Sequence, residues 1–445
     1  MRFNRILISL LALLSLLSFK NPVFAVGSSG FATQFVGAKA AGQGFAFVAE
    51  ADDPSAVYFN PAGLVQLEHT QMSLGSTFLM ANTKRSGADV PQDQMKRQLS
   101  VLPNLYLTGH LPFQLPSSEE KIAVGFGINS LFGMTSQWAP TSSVRYVTTT
   151  SKFETLNMNP SLAAKILPSL ALGFGVDYTN LYSVDSKNEI NQAAANADNS
   201  EDGKSRLTGD GDGWGYNVGL LFKPVEKHSF GASYRSKVHI GIDGQLKLSN
   251  LSASTQANYN FPGTSYAVDA KSSIVLPASF ILGYAYRPSS RWTFLADYEW
   301  TQWSVFKNQD VTINESDPNR LGLLTGDPTS NTIRTQRKWE DVSAVGFGAN
   351  YKMSDTLQWR GGYAYFERTV PNNTFSPDVP DSGMHLLTAG LSKSISSLVF
   401  DFAVNGWFYA NRSINNTVGN AAGGSVNGTY KTFVPAVAFN IIYRT

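Results

Sequence analysis

The chain has 445 residues, a formal net charge of +2, and only 15% charged residues beside 12% aromatic ones, where soluble domains carry about 25% charged. It has no cysteine, which excludes a disulfide framework, thiolate chemistry and a Cys-type metal site. The near-neutral charge gives nucleic-acid binding no electrostatic support.

Residues 1–25 read as a secretory leader. Arg2 and Arg5 make a basic start, and residues 6–17 form an apolar run broken only by Ser9 and Ser15. Val23 and Ala25 then supply small residues for a cleavage site. The run is too short to cross a bilayer, which takes about 20 helical residues. Cleavage after Ala25 removes Arg2, Arg5 and Lys20 and leaves a slightly acidic mature chain. Beyond it no apolar run reaches helix-spanning length, so any membrane crossing must use strands closed into a barrel.

Residues 26–68 are rich in Gly, Ala and Ser, with Phe31, Phe35, Phe45 and Phe47 spaced among them. Residues 52–56 can cap a short helix, which Asn60 and Pro61 would break. Without a period-2 pattern, this stretch reads as an irregular N-terminal plug of small residues that packs inside something else.

From residue 69 to 445 strands dominate. Trp292, Phe294, Tyr298 and Trp300 share one face, and Asp297 and Glu299 the other. Leu170, Leu172, Phe174, Val176 and Tyr178 alternate with Ala171, Gly173, Gly175 and Asp177. The last strand sets Phe433, Pro435, Val437, Phe439, Ile441 and Tyr443 on one side. An apolar outer face and a polar or small inner face are what lipid outside and a lumen inside demand.

The connections fall into two alternating classes. Residues 167–169, 224–228, 287–290, 353–355 and 394–397 are tight. Residues 81–98, 135–152, 185–211, 243–271, 307–337 and 369–384 are long and polar. Short turns on one side and long loops on the other are the rhythm of a transmembrane antiparallel β-barrel. The expected fold is all-β, with about 14 strands, both chain ends on the short-turn side, and the plug in the lumen.

In this order the motifs resemble the FadL-type outer-membrane transporters of long-chain fatty acids and other hydrophobic compounds. Asp52-Asp53 followed by Asn60-Pro61-Ala62 is similar to that family's hatch motif. Residues 153–160 and 170–175, 213–219 and 233–236, Leu276-Pro277, residues 303–306, Val370-Pro371 and residues 377–381 follow in family order. The resemblance implies loop capture of a hydrophobic ligand, rearrangement of the hatch, and lateral release into the outer membrane where a wall strand is kinked. The kink would fall at Leu131, Phe132 and Gly133. Position relative to the motifs makes Lys187, Arg337 and Lys338, with neighbouring Arg334, candidates to receive a fatty-acid carboxylate, which needs a cation when buried. Glu340 stands where it can neutralise that cluster. Residues 190–197, 259–262 and 321–324 are candidate capture elements in the loops.

The resemblance further implies a monomer surrounded by outer-membrane lipids and inserted by the barrel-assembly machinery. No cofactor and no metal is expected. The five histidines lack zinc spacing, no Gly-x-Ser-x-Gly elbow occurs, and residues 209–213 lack the acidic residue that completes a calcium loop. Uptake of aromatic or alkane hydrocarbons, and an outer-membrane adhesin or structural barrel, stand as alternatives to fatty-acid uptake. The chain ends Tyr443-Arg444-Thr445, without the terminal aromatic usual in such barrels.

Overall fold

Period-2 alternation of apolar and polar residues leaves each strand with two unlike faces, and a sheet with one greasy face closes on itself when that face meets lipid. The computed structural model describes residues 30–87, 90–114, 121–192 and 202–445. The expected leader and residues 193–197 of the loop candidate lie outside the described residues.

Fourteen antiparallel wall strands form one closed sheet. They are β1 (Gln71–Met80, resuming as Asn82–Gly87), β2 (Leu99–Gln114), β3 (Lys121–Asn129, resuming as Gly133–Gln137), β4 (Thr150–Leu167), β5 (Leu170–Ile190), β6 (Gly203–Val225) and β7 (His228–Arg235, then Val238–Ser249). The second half comprises β8 (Tyr266–Leu276, then Ser279–Tyr286), β9 (Trp292–Thr301, then Asn308–Ile313), β10 (Thr332–Gln336, then Val342–Ser354), β11 (Leu357–Phe366), β12 (Met384–Ile395), β13 (Leu398–Tyr409, then Arg412–Ile414) and β14 (Gly428–Arg444). Pairing of β14 with β1, from Gln71↔Arg444 to Leu79↔Ala436, closes the barrel.

The faces separate as the alternation requires. On β14, Phe433, Val437 and Phe439 are exposed on the lipid side, while Val434, Ala436, Ala438 and Asn440 are buried inside. The strands meet in tight turns at residues 168–169, 226–227, 287–291, 355–356 and 396–397; Ser396 takes the left-handed conformation that its two-residue turn needs. At the other end the long connections carry α-helices at Ala253–Tyr259 and Pro318–Thr325. There Phe261 and Leu321 are buried, and Leu323 and Leu324 pack against Leu248 and Leu251. The two apolar loop segments thus spend much of their greasy surface on a satellite core, and do not form an open landing strip.

Residues 30–67 are almost entirely buried and contact wall strands all round. Ala38 N donates to Asn440 Oδ1 (2.9 Å), Gly44 N to Thr388 Oγ1 (3.0 Å), and Phe47 N and Val48 N to Asp297 Oδ2 (2.8 and 2.9 Å). In the other direction, Tyr106 Oη donates to Val36 O (2.8 Å) and Asn350 Nδ2 to Glu50 Oε1 (3.0 Å). The polar inward residues of the wall therefore solvate the backbone of a segment too short of regular structure to satisfy itself.

Candidate functional site

The short helix foreseen after Asp53 spans Ala56–Phe59, with Asp53 accepting from Ser55 N (2.8 Å). Asn60 ends it and caps the 3-10 turn Pro61–Gln66, in which Pro61 occupies the first position. Asn60 is fully buried. Its Oδ1 accepts from Ala62 N (3.1 Å), and its Nδ2 donates to Val48 O and to Leu220 O of β6 (both 2.9 Å). One amide thus ties the turn to itself, to the N-terminal segment and to the wall. The wall receives it through glycine: a Cβ on Gly219 would lie 2.8 Å from Pro61 Cδ, and one on Gly173 would strike the backbone of Pro61 and Ala62.

The wall is interrupted where the resemblance places a kink. Regular pairing of β3 with β2 ends at Leu105↔Ile128. Its register with β4 shifts by one residue between Asn129↔Asn157 and Gly133↔Glu154. This is a bulge over residues 130–132, of the kind that re-aims a strand. Beyond it β2 has lost its β3 partner, and Pro103, which has no N–H to offer, costs no ladder bond there.

The free edge of β3 is taken by the N-terminal segment. Thr33 N donates to Leu131 O (2.8 Å), Gly133 N donates to Phe31 O (2.9 Å), and Thr33 Oγ1 donates to Ser130 O (2.5 Å). Residues 31–33 act as a short replacement strand for β2. Gly133 itself has room for a Cβ, with the nearest atom, Phe153 O, at 3.4 Å. The interruption comes from Ser130–Phe132 leaving the ladder, and Gly133 is where pairing resumes.

Facing this break, β9 and β10 leave the sheet together. Between their two pieces lie residues 302–307 and 337–341, and Lys338 adopts a left-handed backbone (φ 48°) that lets Trp339 turn inward. Trp303, Phe306 and Trp339, with Phe132 and Phe153 from the opposite wall, surround the ring of Phe31. Centroid separations are 4.8, 5.8, 5.3, 6.3 and 5.0 Å respectively. These are edge-to-face and tilted contacts within the favourable range. The indole N–H groups of Trp303 and Trp339 are buried without a hydrogen-bond partner among the described residues. Beside the box lies a narrow crevice, with room for no more than a water molecule, lined by Met95, Met134, Val379 and Tyr409 together with Asp378 and Asp381.

The sequence-derived cations part company. Arg337 is nearly buried; its Nη2 donates to Asp378 Oδ2 (2.6 Å), and its guanidinium lies 6.0 Å from the centre of the Phe306 ring. Its ionic partner is Asp378, within the family-like residues 377–381, and not Glu340. Lys338 is exposed. Arg334 is exposed and paired with Asp310 (2.9 Å). Lys187 lies on β5, paired with Asp185 (3.1 Å), and is not brought together with Arg337.

Sequence reasoning passed over Trp339 and Arg412. The Arg412 guanidinium donates to Asp381 O (2.6 Å) and Asn372 Oδ1 (2.9 Å), and stacks over Phe375 at 4.7 Å, pinning residues 369–384 over the lumen. A Trp at the point where alternation fails was the available signal for the first; the second had none.

The short-turn mouth is different in kind. It opens into a wide vestibule lined by Asp52, Glu68, Lys165, Lys223, Glu226 and Arg287. Val65, Leu67, Leu170 and Leu221 also line it, and the buried residues 34–67 fill the lumen beyond.

Comparison with known proteins agrees with this architecture. The chain is 23% identical over 387 residues to the long-chain fatty acid transport protein of Escherichia coli K12, covering 81% of this chain and 82% of that one. It is 25% identical over 405 residues to a putative outer membrane protein of Neisseria meningitidis, covering 83% and 84%. Among solved structures, a Pseudomonas aeruginosa FadL homologue superposes with a TM-score of 0.80 at 20% identity, over 94% of this chain and all of that one. The Pseudomonas putida toluene transporter TodX gives 0.66 at 17% identity, over 94% and 99%. Residues 24–444 match the family described as outer membrane protein transport protein (OMPP1/FadL/TodX), and the chain belongs to that family of outer-membrane channels for hydrophobic compounds, which are transporters and not enzymes.

Proposed function

We propose that this chain takes up long-chain fatty acids and releases them sideways into the outer membrane through the interruption at Leu131, Phe132 and Gly133. One observation carries the reading: the wall break is filled by the N-terminal segment, Phe31–Thr33, in place of a wall strand, and the Phe31 ring sits in an aromatic box on the lumen side. Withdrawal of those residues would leave an apolar path from box to lipid, while Asn60, Pro61 and Ala62 hold the remaining N-terminal segment as a hatch against the polar vestibule. An acyl chain gains about 0.8 kcal/mol for each CH₂ kept out of water, so a sideways exit spares it the crossing of a polar mouth. No cofactor or energy source enters this scheme.

Of the carboxylate candidates, Arg337 is best placed. A cargo carboxylate can replace Asp378 on its guanidinium, and the unpartnered indole N–H groups of Trp303 and Trp339 can add donors. Lys187 and Lys338 are assigned no part. A second reading has its own support: five rings around one phenyl group form a cage of the right size for a monoaromatic hydrocarbon, and a toluene transporter shares the fold. Reconstituted vesicles decide. Saturable oleate entry that falls at least tenfold in Arg337→Ala, with toluene entry unchanged, is the expected result; equal permeation of small sugars would overturn the transporter reading. Toluene entry that saturates while oleate entry does not would select the second.

A further inference from the structure

The outer rim of the wall holds its cations in two kinds of setting. Along β5 to β10 several are matched within the sheet: Arg206 to Asp185 at 2.8 Å, Lys271 to Asp243 at 3.1 Å, and Arg334 to Asp310 at 2.9 Å. At the seam where β14 meets β1 the setting changes. Lys84 and Lys431 stand directly opposite each other across the seam, and both are exposed. The alternation that turns Phe433 to the lipid turns Lys431 to the same outer face, two residues further out. Arg97 is exposed two residues beyond lipid-facing Leu99. Among the described residues none of these three cations has an ion-pair partner. Asp93 is engaged elsewhere: its Oδ2 lies 3.6 Å from Arg85, which is buried on the inner face.

Like charges directly opposed across a ladder destabilise it, and neither position packs in a way that demands lysine. Below this cationic row lies a belt of exposed apolar side chains, Phe433, Phe408, Phe78 and Leu99. Acyl chains against such a belt carry their headgroups to the level of the cations, and basic clusters at the edge of an apolar band are the usual means of holding anionic lipid headgroups.

We infer that the β14–β1–β2 seam is a binding site for a phosphate-bearing saccharolipid of the outer leaflet, with a phosphate between Lys84 and Lys431 and Arg97 beside it. The site is independent of what the lumen carries. It is tied to the outer end of β3, where Lys96 N donates to Gln137 O (2.8 Å).

The test uses the full chain in lipid-free detergent, titrated with bisphosphorylated lipid A, with the same lipid after phosphatase treatment, and with inorganic pyrophosphate, binding being followed by native mass spectrometry and by the unfolding midpoint. Wild type should bind the phosphorylated lipid at least tenfold more tightly than the dephosphorylated one, and pyrophosphate far more weakly than either. K84Q/K431Q should lose that preference while R334Q keeps it. Without lipid, K84Q/K431Q should melt at or above the wild-type midpoint, since it relieves an unmatched pair. Retention of the preference by K84Q/K431Q, equal binding of both lipids by wild type, or pyrophosphate binding as tight as lipid A would each overturn the assignment. A lower lipid-free midpoint for K84Q/K431Q would overturn the premise that the pair is unmatched.

Discussion

Asn60 and Phe31 both fix the N-terminal segment to the barrel wall, by opposite means. Asn60 does it with a side chain whose hydrogen-bonding groups are all used, wedged against glycines that leave no slack. Phe31 does it with one backbone bond to the edge of a broken strand and with ring contacts that any apolar ligand can imitate. Directional bonds in a filled site resist exchange, because each buried group left unpaired costs about 1–3 kcal/mol. Non-directional burial is exchangeable, because a hydrophobic competitor restores most of what is lost. Under the proposed function, one end of the segment serves as an anchor and the other as a seal.

That contrast can be broken most severely at the anchor. Gly219→Val forces a branched side chain into the space of Asn60, Pro61 and Ala62, and should unseat the segment. Small-sugar permeation through reconstituted barrels should rise at least tenfold, while the barrel itself still shows heat-modifiable migration. Asn60→Ala leaves the carbonyls of Val48 and Leu220 short of a donor and should give the same leak to a smaller degree, with earlier proteolysis of the segment. Phe31→Ala should behave differently. Core Phe→Ala changes cost about 3–5 kcal/mol, but here the loss falls on the seal, so sugar permeation should stay at the wild-type level while oleate release quickens. A sugar leak from Phe31→Ala equal to that from Asn60→Ala would erase the distinction between anchor and seal. Smaller still is Gly133→Ala: the added methyl would sit 3.4 Å from its nearest neighbour, Phe153 O, so transport should change by less than twofold.

The barrel was legible because strands such as β5, β9 and β14 declare themselves by period 2 and tight turns such as Pro168-Ser169 declare their ends. The polar stretches 185–211 and 243–271, read as loops, in fact carry strand on to Ile190 and Ser249 and from Gly203 and Tyr266. Asn60-Pro61 was legible as a helix break, since proline and a capping side chain act locally. What joins Asn60 to Leu220 was not, because the complement is a carbonyl and two glycines more than a hundred residues away. The filling of the wall break was hidden for a related reason: apart from the Thr33 hydroxyl, Phe31–Thr33 bonds β3 through main-chain groups, which carry no sequence signature. Gly133 drew attention as a flexible residue, whereas the physical cause is the departure of Ser130, Leu131 and Phe132 from the ladder. Among the cations, Lys187 could have been set aside from sequence, as Asp185 stands two positions earlier on the same face of a strand. Arg337 could not be judged without Asp378, which the fold brings from the loop 41 residues on.

The finest test concerns that pair, where the seal meets the outer loop. Burial opposes ionisation of Asp378, yet the Arg337 charge beside it, with the hydrogen bond that Arg337 donates, holds its carboxyl below the usual range. A depressed carboxylate contributes stability that is complete above the unfolded value of about 3.9 and is lost as pH falls through the folded one. Asp381, in the same loop, moves the other way: burial raises its pKa against bonds from Val370 N and Thr369 N, so its contribution is lost as pH rises above about 4. Acidification from neutrality should first tighten residues 369–384 slightly as Asp381 takes up its proton, then loosen them below about pH 4 as Asp378 does. Hydrogen exchange of residues 369–376 between pH 3 and 7, corrected for intrinsic rates, reads both phases. Asp378→Asn should remove the loosening and keep the tightening, because Asp381 is untouched; loss of both phases in that variant would mean that the loop is held by Arg412 alone and that Arg337 is not poised to exchange Asp378 for a cargo carboxylate.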